Sequence, residues 1–460
     1  MNLSTNPATG ETFARFELHT PAQVDTALDH AARAQRDWRW STPGARTALL
    51  HRLAAGLRCE RDTLGALITA EMGKPIGEAR AEVEKCALNC DFYADNAAAM
   101  LADAPVVGVP DVIIAHEPLG VVLAIMPWNY PLWQVVRFLA PALAAGNGVI
   151  LKHAANVPGC ALAIERLVVE AGAPAGLFAS LRVEPDTVAA LIADTRIAAV
   201  TLTGSTEVGA IVAGQAGAAL KKQVLELGGS DPFVVLADAD VDHAARMAVT
   251  ARFTNAGQSC VNAKRFIVAE AVADRFVAAF AEGARALVMG DPTDPATTLG
   301  PLARANLRAA IDDQVRRSVA AGARVVTGSG LPNGPGFFYP ATLLDHVVPG
   351  MAAFDEETFG PAAAIIRARD EDEAIALANL TAFGLGASIW TADTDRGLAV
   401  ARRIDAGAVF VNAMVASDPR VPFGGIKRSG YGRELGDLGL KEFTNAKTIR
   451  WTRPALEQAA

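Results

Sequence analysis

The chain has few of the features that mark secreted, membrane-spanning or nucleic-acid-binding proteins. Five cysteines in 460 residues build no disulfide framework. Cys86 and Cys90 stand four apart on an expected helix, but no His pair at ligand spacing joins them, so no metal is expected and they read as buried thiols. That usage implies a reduced, cytoplasmic chain. No apolar run reaches bilayer length; the closest, 119–126, is the size of a strand and runs into Pro127-Trp128. The opening MNLSTNPATGE has neither a charged n-region nor an apolar core, so a secretory signal is not expected. There is no Lys/Arg block, and the net charge is -8, which argues against a general nucleic-acid or anionic-membrane partner. Internal repeats and low-complexity tracts are missing. So is GxGxxG after a strand, the usual dinucleotide fingerprint.

What is present describes a packed globular protein, 51% apolar and 20% charged. Its length exceeds one ordinary core, so two or three domains are expected. Thr20-Pro21-Ala22-Gln23 is a capping box with proline at the first helical position. Helical patterns follow over 21–39, 45–71 and 78–100, then strand-like runs at 106–109, 112–117 and 120–125 with no helix between them. This meander reads as an arm that pairs with another subunit. From 131 onward strands and helices alternate at the spacing of βαβ units and a parallel sheet. Two α/β domains meet near 227–231, and active sites of such proteins lie at strand carboxyl ends and domain clefts.

That junction carries the chemistry. Glu226 precedes a Gly-Gly pair in LELGG, and Cys260 follows Gly257-Gln258-Ser259, with an Ala-rich helical segment between. By themselves these residues fit equally a thiol nucleophile facing a general base and a strand-end carboxylate with an inert buried thiol. Thr203-Gly204-Ser205 opens a helix after a strand, where free N–H groups suit a pyrophosphate, although many such turns are only caps. Asn129, in the rigid turn PWNYP, offers an amide to a developing oxyanion or is a plain turn residue. Lys152 ends the next strand, within reach of ribose or phosphate groups.

PWNYP, Lys152, the Thr203-Gly204-Ser205 turn, LELGG, NAGQSC, ETFGP and PFGGIKRSGYGRE occur in this order over essentially the whole chain. Together they resemble the NAD(P)-dependent aldehyde dehydrogenase superfamily. The resemblance implies an α/β fold with a Rossmann-type cofactor domain (1–105 and 127–228), an α/β catalytic domain (229–439) and a small β oligomerisation arm (106–126 and 440–460) in a homodimer or homotetramer. It implies that Cys260 is the nucleophile, that Asn129 and the Cys260 N–H form the oxyanion hole, and that Glu226 is the base for thioester hydrolysis. It gives NAD or NADP to Lys152, Glu357, Phe359, Trp128, Gly204 and Ser205. Transfer of the acyl group to coenzyme A and a non-catalytic role for the scaffold are the rival readings.

KHAANVPGCA and PFGGIKRSGYGRELGDLGLKEF look most like the succinate-semialdehyde dehydrogenase branch in its short bacterial form. That likeness implies Arg137, Ser417 and Arg420 as groups for the substrate's remote carboxylate, with another short or medium aldehyde as the alternative. Thr254 stands where longer members have an arginine, and Asn262 where some carry a second cysteine. Ala155 replaces the glutamate of many NAD-preferring members, which removes a repulsion against NADP.

Overall fold

The computed structural model describes residues 1–452, and two large sheets carry the chain. The first has six strands, in the order Gly430–Tyr431, Lys222–Glu226, Ile197–Thr203, Val121–Met126, Gly148–His153, Phe178–Ser180. All neighbours run parallel except Gly430–Tyr431, which closes one edge antiparallel to Lys222–Glu226. Helices connect the parallel strands, as crossovers of this kind require.

Val121–Met126 sits inside this sheet, which corrects the expectation that 106–126 is a projecting arm. Val122, Ala124 and Met126 enter the core shared with Val83, Ala87 and Phe138. Val121, Leu123 and Ile125 enter a second core with Val24, Leu28 and Val212 on the opposite face. A six-residue apolar strand buried on both faces needs cover on both, and an arm offers none. The arm is Val112–Pro118, paired antiparallel to Thr444–Arg450 on one side and to Ala104–Pro105 on the other. Residues 106–109 close a turn, with Val109 N–H donating to Val106 O at 3.1 Å. Part of the expected tail, 453–460, lies outside the described residues.

The second sheet has seven strands, in the order Arg324–Thr327, Thr342–Asp345, Ala362–Ala368, Ala263–Ala269, Asp231–Val235, Gly386–Trp390, Ala408–Val411. Only the first is antiparallel to its neighbour. The sequence reading omitted Thr342–Asp345 and Ala362–Ala368; in AAAIIRA, short alanines hide the strand pattern. After Ala408–Val411 the chain crosses back, adds Gly430–Tyr431 to the first sheet, and packs helix Gly436–Glu442 on helices Ile76–Met100 and Trp133–Ala144. The end of 229–439 therefore packs with the first sheet rather than the second.

At the amino end, the Thr20 hydroxyl accepts from Gln23 N–H at 3.3 Å while the Gln23 side chain accepts from Thr20 N–H at 2.8 Å, completing the expected capping box. The pattern at 45–71 resolves into two helices, Pro43–Cys59 and Arg61–Met72, broken at Glu60. The second ends at Gly73, where φ is 80°.

Candidate active site

Cys260 follows a reversal that few sequences adopt. Helix Val241–Phe253 stops, and Asn255, Ala256 and Gly257 all take left-handed backbone, with φ of 56°, 51° and 74°. Such backbone costs a non-glycine residue about 1–2 kcal/mol and persists only where the surroundings hold it. Here they do. Asn255 Nδ2 donates to Asn129 O at 2.8 Å, and Asn255 N–H donates to Glu78 Oε2 at 2.8 Å. Gln258 Oε1 accepts from Ala303 N–H at 2.9 Å. Beyond the nucleophile, the fully buried Lys264 ammonium donates to Ser259 O at 3.1 Å and Cys260 O at 2.8 Å.

The glycine pair of LELGG has a steric cause. A Cβ at Gly228 would lie 2.5 Å from Glu357 Oε2, and one at Gly229 would lie 2.8 Å from Cys260 O. Two bare residues at the end of strand Lys222–Glu226 thus let both segments close on one point. Glu357 accepts from Gly229 N–H at 3.1 Å and lies 3.6 Å from Lys264 Nζ, so one lysine ties the nucleophile loop to the ETFGP loop. The buried Arg252 holds the same loop from behind, donating to Thr358 O at 2.8 Å and to Gly360 O.

Two cavities meet at Cys260. One, of about 150 Å³, is walled by Lys85, Trp133, Arg137, Ser417 and Phe423 as well as Cys260. The other, of about 250 Å³, is walled by Trp128, Asn129, Gly204, Glu357 and Phe359 as well as Cys260. Ser205 lines this second cavity at the start of helix Thr206–Ala218, where its hydroxyl caps Val208 N–H. The Gly204 N–H is already given to Glu226 O at 3.0 Å, so an anion there would meet later N–H groups of the turn. Trp128 and Phe359 stand edge to face, centroids 5.8 Å apart, and make a flat apolar slot. Asn129 Nδ2 donates to Gln258 O at 3.0 Å, which leaves its second amide hydrogen for a group at Cys260.

The electrostatics are mixed. Burial pushes the Cys260 thiol up to about 11, with Arg137 and Lys264 pulling it back and Glu226 and Glu357 reinforcing the rise. Burial, and then repulsion from Glu434, raises Glu226 well above the usual carboxylate range, against the pull of Arg137 and Arg433. Neither Glu226 oxygen has a hydrogen-bond partner among the described residues. The carboxylate faces Gly424, where a Cβ would lie 2.6 Å from Oε1, and it lines neither cavity. Arg137 is 2% exposed and paired with Glu434; it donates to Thr203 Oγ1 at 3.3 Å and stacks over Phe423 at 4.8 Å.

Three further residues named from the sequence lie apart from these cavities. Arg420 is turned to the surface and pairs with Asp418, which corrects its expected place at the substrate mouth; a free arginine beside an aspartate two residues away closes locally. Lys152, whose amine burial pushes below its ordinary value, ends strand Gly148–His153, and the exposed Ala155 follows it. Sequence reasoning missed Lys85, Lys264, Arg252 and Arg304, which stacks 5.4 Å over Trp128 in the second cavity. No local pattern marks them, although Lys264 stands four residues past the nucleophile in NAKRF.

The aldehyde dehydrogenase family profile matches residues 3–449. Succinate semialdehyde dehydrogenase [NAD(P)+] Sad of Escherichia coli (strain K12) is 48% identical over 448 residues, covering 97% of both chains. Succinate-semialdehyde dehydrogenase [NADP(+)] of Mycobacterium avium (strain 104) is 50% identical over 449 residues, 96% of this chain and 95% of that one. Among solved structures, succinic semialdehyde dehydrogenase from Streptococcus pyogenes in complex with NADP+ superposes with a TM-score of 0.96 at 38% identity, covering 98% of this chain and 100% of that one.

Proposed function

The chain belongs to the aldehyde dehydrogenase family, and on that premise we propose that it oxidises succinate semialdehyde, an aldehyde with a remote carboxylate, to the diacid with NAD or NADP. The observation that carries this is the position of Cys260, the one thiol lining both cavities. A substrate in the smaller cavity and a dinucleotide in the larger would approach the same sulfur from two sides. The names borne by relatives near 50% identity support the choice of aldehyde.

The second cavity suits a nicotinamide dinucleotide: a Trp128–Phe359 slot, a glycine turn into a thirteen-residue helix, and Glu357 held where a side chain at Gly228 would clash. When bound there, the nicotinamide supplies the hydride acceptor. The residues of the chain do the rest. Cys260 Sγ, as thiolate, adds to the aldehyde carbon and makes a thiohemiacetal. The free N–H of the Asn129 amide and the Cys260 backbone N–H receive the oxyanion. After oxidation to the thioester, Glu226 takes a proton from the water that hydrolyses it. Its carboxylate must first turn from Gly424 toward Cys260, and no hydrogen bond among the described residues anchors either oxygen against that turn. Lys152 and Glu357 serve the two riboses, and Ala155 places no carboxylate against a 2′-phosphate.

The cofactor unit is taken as 1–103 with 119–228 and the catalytic unit as 229–429, the arm being built from 104–118 and 444–450. The exposed strand Thr444–Arg450 at the edge of the arm supports a homodimer or homotetramer. Among the described residues no helix is long and apolar enough to cross a membrane. The test is a panel of aldehydes with and without a terminal carboxylate, run with NAD and with NADP. Preferred turnover of succinate semialdehyde is expected; equal turnover of butanal would defeat the substrate assignment.

A further inference from the structure

The smaller cavity holds a cation that the chain leaves without an anionic partner. Lys85 rises from helix Ile76–Met100 into the wall that also contains Cys260. Its ammonium sits 4.3 Å over the Trp133 ring and donates to Ser417 Oγ at 2.7 Å. Among the described residues it forms no ion pair, and Glu82 and Asp418 act on it only at longer range. Asp418, the acid closest in sequence to Ser417, is taken by Arg420. Burial, followed by repulsion from Arg137, lowers Lys85 to about 8, against the pull of Cys86 and Glu82.

Arg137 is in the opposite condition. Its charge is matched by Glu434, and it also donates to Thr203 and stacks on Phe423, of which only Phe423 lines the cavity. These contacts use two of its five N–H donors, so it can still donate to a substrate carboxylate, but it brings no unpaired charge. Lys85 has nothing to give up. Its ammonium has three hydrogens and one is used. The Ser417 hydroxyl accepts from Lys85 and keeps its own proton to donate, so lysine and serine present adjacent donors for the two oxygens of one carboxylate. The Trp133 ring holds the ammonium in place beforehand and reduces the ordering needed on binding.

We propose that Lys85, with Ser417, is an anchor for the substrate's remote carboxylate and supplies the unpaired positive charge that Arg137, already matched by Glu434, does not. This rests on the reading of the substrate as an aldehyde acid. Specificity then depends on a lysine that reaches the cavity from a helix more than 300 residues before Ser417 in the chain.

The test compares kcat/KM for succinate semialdehyde and for butanal in the full-length wild type, Lys85→Met, Lys85→Arg and Ser417→Ala. Wild type is expected to prefer the acid. Lys85→Met should reduce that preference about 10- to 100-fold, the worth of a hydrogen bond to a charged group, with the loss in KM for the acid. Lys85→Arg should keep the preference within a few-fold, and Ser417→Ala should lower it several-fold. The ratio is read inside each variant, so a general loss of folded enzyme cancels. If Lys85→Met turns over neither aldehyde, Ser417→Ala decides. A wild type that prefers the acid, with the preference unchanged in Lys85→Met or, failing that, in Ser417→Ala, overturns the assignment of Lys85. A wild type without preference overturns the substrate reading itself.

Discussion

Gly257→Ala should cripple the enzyme although it adds one methyl group and no charge. Gly257 has φ of 74°, and alanine there costs about 1–2 kcal/mol. The new Cβ would also lie 2.3 Å from Gly360 O and 2.5 Å from Gly360 C, backbone atoms that cannot rotate aside. Gly360 O is held by Arg252 and by Ala362 N–H at 2.8 Å, so the loop moves only by giving up those bonds. Overpacking of this kind costs a further ~1–3 kcal/mol, for a total of about 2–5 kcal/mol. Catalysis should suffer more than stability, because Cys260 lies three residues downstream of the clash and Glu357 three residues upstream of Gly360. A displacement near 1 Å between reacting groups is worth about 100-fold in rate. The assay is kcat and nicotinamide Kd beside a thermal melt, with Gly44→Ala as control, since a Cβ at Gly44 meets nothing within 4 Å. A Gly257→Ala enzyme with wild-type melting and kcat within threefold would refute the steric account of NAGQSC.

Lys264→Met should lower the melting temperature and kcat together, because it strips the donor from Ser259 O and Cys260 O and the cation from Glu357. Each stranded buried carbonyl costs about 1–3 kcal/mol, and a melt unchanged from wild type would contradict that. Alkylation of Cys260 by iodoacetamide in the enzyme without nicotinamide should climb with pH through 8 and 9. The thiol is raised to about 11, and the reactive thiolate is only about one part in a thousand at pH 8. A rate already flat from pH 7 to 9 would mean a thiolate far better stabilised than the buried site allows.

The residues legible from sequence are those at or just past the ends of strands and helices in recognisable motifs. Glu226 and Gly204 close strands, Asn129 lies in the turn after one, and Cys260 follows the stop of a helix; their motifs name the family without any three-dimensional input. The α/β alternation was legible for the same reason: buried parallel strands and crossover helices leave strong local periods. What escaped is non-local. Val121–Met126 looks the same whether it caps an arm or lies at the centre of a sheet; only cover on both faces distinguishes them. Arg420 was placed at the substrate mouth by loop proximity, and a local pair with Asp418 took it away. Lys264 and Arg252 stabilise by donating to backbone carbonyls, a role that leaves no mark on residue type. A lysine on a long helix such as Lys85 reads as solvated surface, and the cavity it lines is completed by residues 414–417, far away along the chain.

The central claim is that Cys260 makes the acyl-enzyme and Glu226 clears it. Glu226→Gln, mixed with succinate semialdehyde and the nicotinamide and quenched in acid, tests both halves at once. One equivalent of reduced nicotinamide per site, with a succinyl thioester on the Cys260 peptide by mass spectrometry and little further turnover, is the expected result. Sustained wild-type turnover, or a burst with no adduct on Cys260, would contradict the account.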